Sequence, residues 1–268
     1  MSEPRATDDG PAEPRTGTQS IERAVAVLRA IASRGRRGMR IAEVVSTAGL
    51  PQATCSRMLQ CLEREGLVDK EQHTRKYFLG PLVSELGLVA RPRYSLSELC
   101  AASLRELAQI TQDTVYLSER SGLEAVCTAR MLGDYPIKAL PLDVGIRRPL
   151  GVGAGGLAIL AAMEPDETEA VVRTIGSHYE GHGRLTTESM LAAVAETRAR
   201  GYSFVESTVT PGTCAVGVAV PGEVAIAAIS VSAINGRLGP ERRQEVARLI
   251  QRHAAKVALV LQGMHGLT

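Results

Sequence analysis

The 268-residue chain contains no tryptophan and only two phenylalanines. Proteins that hold single-stranded nucleic acid stack bases on aromatic side chains, so this composition argues against that mode of binding. No run of about eighteen apolar residues occurs, which excludes a transmembrane helix and predicts no membrane partner. The opening MSEPRATDDGPAEPRTGTQ lacks the apolar stretch of a secretory signal. Residues 1–19 are instead polar, acidic and rich in Pro and Gly, and are expected to form a disordered tail of a cytoplasmic protein. Five cysteines (Cys55, Cys61, Cys100, Cys127, Cys214) are odd in number and form no CxxC or Cys/His cluster. Reduced thiols are expected, with no metal site and no resident cofactor. No catalytic triad or pair of carboxylates is legible either, so the chain is not expected to be an enzyme.

Net charge is only +2, and by itself predicts no polyanionic partner. Its distribution says more. Residues 20–80 hold eleven Lys/Arg against six Asp/Glu, a net +5, while residues 81–268 are close to neutral. The positive charge is gathered in one segment, as expected of a chain whose front part meets a phosphate backbone.

That segment has a pattern. SIERAVAVLRAIASR (20–34) is expected to be a support helix capped by Ser20, with Ile21, Ala24, Val25, Leu28 and Ile31 on its apolar side. A Gly-punctuated loop with Arg34, Arg36, Arg37 and Arg40 follows, suited to phosphate contact or to plain solvation. IAEVVSTAGLP (41–51) predicts a short helix, a turn at Gly49 and Pro51 at the first position of a second helix. In QATCSRMLQCLEREG (52–66), Cys55, Met58, Leu59 and Leu62 fall on one buried stripe. The other side carries Gln52, Ala53, Thr54, Ser56, Arg57 and Gln60, side chains of the kind that reach base edges and phosphates. LVDKEQHTRKYFLG (67–80) reads as two short strands about a basic tip, with Arg75 and Lys76 placed to follow the backbone. Helix, turn, second helix and hairpin together predict a winged helix-turn-helix over 20–80, with Arg40, Gln52, Ala53, Thr54, Ser56, Arg57, Gln60, Arg75 and Lys76 as the DNA-contacting set.

Residues 81–94 predict a linker helix whose apolar residues are suited to pack against a second copy. Beyond it, a capped helix from Ser95, a strand hairpin about Ser121–Gly122, and an extended piece at Ile137–Gly145 are expected. A Gly-rich loop running into a small-residue helix (147–163), helices near 166–177 and 187–200, three strands and a long closing helix follow. That order predicts an α+β domain with one antiparallel sheet covered by helices on one side. GVGAGG (151–156) superficially suggests a dinucleotide loop, but it is not GxGxxG and no buried parallel strand precedes it.

From Ser20 to Leu261 the chain resembles the IclR-type transcriptional regulators. The resemblance rests on SIERAVAVL, on LPQATCSRMLQCLEREGLV followed by YFLG, on RRPLGVGAGGLAILA, and on GVAVPGEVAIAAISVSA with its closing helix. It implies a winged helix-turn-helix, a linker helix and a GAF-like effector-binding domain over 95–268. It further implies a dimer or tetramer on palindromic double-stranded operators, responsive to a small-molecule effector. Ala53 stands where the family often has Ser, Leu157 replaces a common Lys, and Val205–Glu206 and Ala215 replace an acidic pair and a Cys. The implied pocket is therefore less polar than the family's keto-acid sites.

For that pocket, Ala154 and Gly155 are expected to present backbone N–H groups at a helix N-terminus, suited to a carboxylate. Ser230 and Ser232 alternate on one strand, with Thr213 and Ala215 on its neighbour. Ile137 and Leu140 are expected to form an apolar wall, and Arg147 and Arg148 are each placed to pair with an anion or to sit in surface salt bridges. Two other readings remain open: a C-terminal domain that serves only assembly, or an enzyme using the 151–156 loop.

Overall fold

The computed structural model describes residues 18–90, 96–182 and 185–265. The expected tail, apart from Thr18 and Gln19, and residues 91–94 of the expected linker lie outside these. The chain separates into two compact units, Met1–Leu88 and Val89–Thr268.

In the first unit, α1 spans Gln19–Ala32 with Thr18 at its N-cap; Ser20 lies inside the first turn rather than capping it. Its buried face is Val27, Ala30 and Ile31, while Ile21 and Val25 turn outward. The apolar stripe is thus rotated from the expected one, because the core takes the side of α1 that meets α2, α3 and β2. Helix α2 (Ile41–Ala48) ends on Gly49 in the left-handed conformation, φ 64°, which lets the chain reverse at little steric cost. Helix α3 (Gln52–Arg64) starts one residue later than expected, Pro51 being its N-cap. Strands β1 (Val68–Glu71) and β2 (Lys76–Leu79) pair antiparallel, Val68 opposite Leu79 and Glu71 opposite Lys76. Val27, Ile31, Met39, Val44, Cys55, Leu59, Leu62, Val68 and Tyr77 close the core. Each large aliphatic side chain buried there contributes about 1.5–3 kcal/mol. Helix α4 (Pro81–Ala90) buries no residue and leaves Leu86, Leu88 and Val89 exposed.

The second unit is built on a six-stranded antiparallel sheet in the order β5-β4-β3-β8-β7-β6. Its strands are β3 (Thr114–Ser121), β4 (Glu124–Met131), β5 (Arg147–Pro149), β6 (Ser203–Glu206), β7 (Thr213–Ala219) and β8 (Ala227–Ile234). One face carries Val115, Leu117, Val216, Ile229 and Val231, packed with Leu104 and Leu107 of α5 (Leu96–Thr111) and Val246 and Ile250 of α9 (Pro240–His265). The other face meets α6 (Gly153–Ala162), behind which lie α7 (Pro165–Thr174) and α8 (Thr187–Arg200). Helices therefore cover both faces, not one. The small residues where α6 meets the sheet are the reason: a Cβ on Gly217 of β7 would lie 2.5 Å from the Ala154 carbonyl oxygen, and one on Gly155 of α6 2.5 Å from Ser118 Oγ. Only a glycine- and alanine-rich helix approaches the sheet that closely. The expected extended piece at Ile137–Gly145 forms no strand; the edge strand is the three-residue β5 that follows it.

Asp113 joins the start of β3 to the region around α9. Its carboxylate accepts from Arg237 Nε at 2.8 Å and Arg242 Nη2 at 3.0 Å, and Arg237 stacks on Tyr135 with its guanidinium carbon 3.5 Å from the ring centroid.

Candidate nucleic-acid interface and ligand cleft

Helix α3 presents two unlike sides. Cys55, Leu59 and Leu62 point into the core, whereas Gln52, Ala53, Arg57 and Gln60 are exposed and Ser56 is half-buried. Thr54, expected on the outer side, is buried at 8% exposure. It lies at i and i+4 with Met58 and at i+8 with Leu62, so the helical period draws it to the edge of the apolar stripe. Thr54 is thereby removed from the surface-facing set. Among the described residues Arg57 has no acidic partner and no hydrogen bond within the chain, so its full donor fork faces outward.

The hairpin adds further basic groups. Arg75 is exposed at the tip, held at φ 54° by the tight turn. Lys76 reaches back and donates from Nζ to the Arg37 carbonyl at 2.9 Å, which ties the wing to the arginine loop and leaves Lys76 only half-exposed. Arg40 is exposed at the N-cap of α2, where its backbone N–H donates to Glu43 Oε2 at 2.9 Å. A polar helix flanked by a basic hairpin and a basic loop is the arrangement that enters a major groove while gripping phosphates on either side.

The second unit holds a cleft of about 50 Å³ at the N-terminal end of α6. The β-ladder builds its floor. Tyr116 lies opposite Ser230, which lies opposite Gly217; one row along, Thr114 lies opposite Ser232 and Ser232 opposite Ala215. Alternation puts these on the sheet face turned to α6. Thr213, Ala215, Ser230 and Ser232 line the cleft together with Ala154 and Gly155. Ser232 donates to the Cys214 carbonyl at 3.4 Å, while the hydroxyls of Ser118 and Ser230, on residues only 4% and 6% exposed, make no hydrogen bond among the described residues.

Ile137 and Leu140 do not line the cleft; they are 58% and 50% exposed. The loop that carries them is pinned by Tyr116 Oη donating to the Ala139 carbonyl, Arg148 to that of Pro141 and Arg130 to that of Leu142. That pinning brings Pro141 and Leu142 over the cleft and turns Ile137 and Leu140 to solvent. Tyr116 and Ser118 were not anticipated as lining residues, though the alternation Thr114-Tyr116-Ser118 in a strand already placed them on one face. Burial pushes the Tyr116 hydroxyl well above its ordinary pKa, so it stays a neutral donor.

A wider groove of about 290 Å³ opens between α6, α8 and residues 217–222. The one cation among its described lining residues, Arg198, already donates to the carbonyls of Ala161 and Met163 and to Thr168 Oγ1. The Cys100 and Cys127 thiols are inert by position: burial is the main cause that pushes both up to about 12. Among the described residues no group of His, Cys, Asp and Glu is placed to hold a metal, and no helix is long and apolar enough to cross a membrane.

Comparison with known proteins points the same way. The family model for the IclR helix-turn-helix domain matches residues 20–72, and the model "Bacterial transcriptional regulator IclR C-terminal" matches residues 92–259. The transcriptional repressor IclR of Escherichia coli is 26% identical over 257 residues, covering 94% of this chain and 93% of the repressor. A regulator structure from Alicyclobacillus acidocaldarius superposes with a TM-score of 0.72 at 24% identity, covering 90% of this chain and 97% of that one. A homologue from Microbacterium hydrocarbonoxydans, crystallised with 4-hydroxybenzoate, superposes with a TM-score of 0.67 at 20% identity, covering 90% and 100%.

Proposed function

The chain belongs to the IclR family of bacterial transcriptional regulators, which are DNA-binding proteins and not enzymes, and from that premise we propose how the two units divide the task. Residues Gln52, Ala53, Ser56, Arg57 and Gln60 of α3 read base edges of a palindromic operator in the major groove, while Arg40, Arg75 and Lys76 grip the phosphates beside it. The observation that carries this reading is the outward, unpaired guanidinium of Arg57 on a helix whose opposite side is core. An Arg bidentate to guanine is the commonest specific base contact, and it needs such a free donor fork.

We further propose that the chain acts as a dimer or tetramer in the cytoplasm. The exposed Leu86, Leu88 and Val89 of α4 support self-association, since an apolar side with no burial of its own is stabilised by a second copy. The C-terminal cleft is the effector site, taking a small carboxylate-bearing metabolite against the amides of Ala154 and Gly155 and the hydroxyls of Ser230 and Ser232. The parallel crystal complex of a homologue with 4-hydroxybenzoate supports a small acid as ligand. The test is footprinting of the full-length protein on the DNA upstream of its own gene. A protected site with two-fold symmetry and half-sites one helical turn or a multiple apart is expected. Protection without symmetry, or at random sequence equally well, would sink the operator reading.

A further inference from the structure

Among the described residues, those lining the C-terminal cleft include one guanidinium, that of Arg148, and no carboxylate. Arg147 and Arg148 are neighbours on β5, so strand alternation sends them to opposite sides. Arg147 is consumed there: it donates to Glu124 Oε2 at 2.8 Å and to Ser121 Oγ at 2.8 Å. Arg148 turns into the cleft, where it is half-buried and, among the described residues, has no acidic partner. It donates instead to a neutral acceptor, the Pro141 carbonyl. A guanidinium taken partly out of water without a counter-anion is costly, and that cost is relieved by whatever anion enters.

Two further groups face the same space. Among the described residues the hydroxyls of Ser118 and Ser230, each on a residue more than nine-tenths buried, make no hydrogen bond, so both are left open to the cleft they line. Gly155 keeps the floor open beside them, since a Cβ there would lie 2.5 Å from Ser118 Oγ and 3.6 Å from Ser230 Oγ. Guanidinium, two free hydroxyls and the amides at the start of α6 therefore converge on one small volume.

Resting on the effector reading above, we propose that Arg148 is the charge-selecting residue of the cleft: it admits a singly negative small acid and discriminates against the neutral isostere of the same shape. The acid's two oxygens take the guanidinium fork bidentately, and Ser118 and Ser230 donate to its remaining lone pairs. Arg148 then leaves or shares the Pro141 carbonyl, so occupancy of the cleft is felt by the loop that carries Pro141. Burial already lowers the Arg148 pKa, the direction expected of a cation that lacks its anion.

The test uses the full-length protein and matched pairs of probes at millimolar concentration: acetate with acetamide, propionate with propionamide, benzoate with benzamide. Binding is read by isothermal titration and by the shift in melting temperature. At least one acid is expected to bind the wild type and its amide to bind about tenfold more weakly or worse, with Arg148→Gln erasing the difference and Arg148→Lys keeping part of it. Circular dichroism establishes that the variants are folded, and the acid-against-amide comparison on the wild type stands without them. Equal binding of acid and amide, or wild-type acid binding by a folded Arg148→Gln, overturns the charge-selecting role and leaves the effector site in place. Binding by no acid at all overturns the inference; the effector reading falls with it only if a library of neutral and cationic metabolites also leaves the melting temperature unmoved.

Discussion

Arginine serves opposite ends in the two units. In the C-terminal unit Arg120 pairs with Glu167 at 2.6 Å, Arg147 with Glu124 at 2.8 Å, Arg237 and Arg242 with Asp113, and Arg198 closes the carbonyls at the end of α6. These guanidinia join elements that are far apart in sequence. Around α3, by contrast, Arg57 and Arg75 are exposed with no acid beside them among the described residues. Pairs that do occur there, Arg34 with Glu43 at 3.5 Å and Arg64 with Glu65 at 3.3 Å, lie on the open surface, where an ion pair contributes about 0–1 kcal/mol. One unit uses the residue as internal mortar, the other keeps it available for an external anion. Arg148 belongs to neither group: it is half-buried in the cleft with no acid beside it among the described residues.

The contrast can be broken from either side. The largest effect is expected from Asp113→Ala, which leaves Arg237 and Arg242 facing each other without the carboxylate between them; Asp113's side chain is only 2% exposed. Losing one partner of such a buried pair costs about 3–5 kcal/mol. Calorimetry should show the melting of the C-terminal unit fall by on the order of 10 °C. A shift of a degree or two would mean that the arginines find other acceptors and that the clasp is not structural.

Arg57→Ala should do the reverse, leaving melting unchanged and removing operator binding at physiological salt. The expected loss is about 1–3 kcal/mol for each base contact, felt in both half-sites of a dimer. Anisotropy titrations against operator and scrambled DNA separate the two possibilities for this side chain. If specific and non-specific affinity fall together, Arg57 touches phosphate, not base.

The smallest effect concerns His253 on α9, which is buried at 4% exposure with Nδ1 unsatisfied. Burial, reinforced by Lys256 and Arg252, lowers its pKa below the usual 6.5, while Glu106 on α5, 4.0 Å from Nε2, opposes the shift. The unfolded chain thus binds the proton more readily than the folded one. Stability from this group is full above pH 6.5 and is lost as pH falls below it. Denaturant titrations between pH 7.5 and 5 should show that decline flattened in His253→Leu. An unchanged slope would show that other groups carry the acid sensitivity.

Much of this was open to reading in one dimension because it is local. The periodicity of Cys55, Leu59 and Leu62 assigns the inner side of α3, Gly49 marks its turn, and the basic hairpin announces itself by charge and alternation. Ser230 and Ser232, two apart in a strand, had to share a side, as had Thr213 and Ala215. At the two sites, the departures from expectation are matters of what lies across the fold. Thr54 is polar and adjacent to the stripe, and only the packed neighbour decides that it is covered. Ile137 and Leu140 are apolar and so read as wall residues, whereas hydrogen bonds from Tyr116, Arg130 and Arg148 turn their loop the other way. Nothing near Tyr116 and Ser118 in sequence marks a cleft, so alternation alone does not make them lining residues.

Sequence alone determined the order of elements in the first unit, its basic character and the polar side of α3, since each follows from short-range periodicity and from charge that needs no partner to be counted. Tertiary structure alone decided which of two adjacent arginines faces the cleft, that helices lie on both faces of the sheet, and that Asp113 meets two arginines from more than a hundred residues away. Those outcomes depend on strand register and on helix-to-sheet distance, which are set by the packing of the whole unit and leave no mark in any one stretch of the chain.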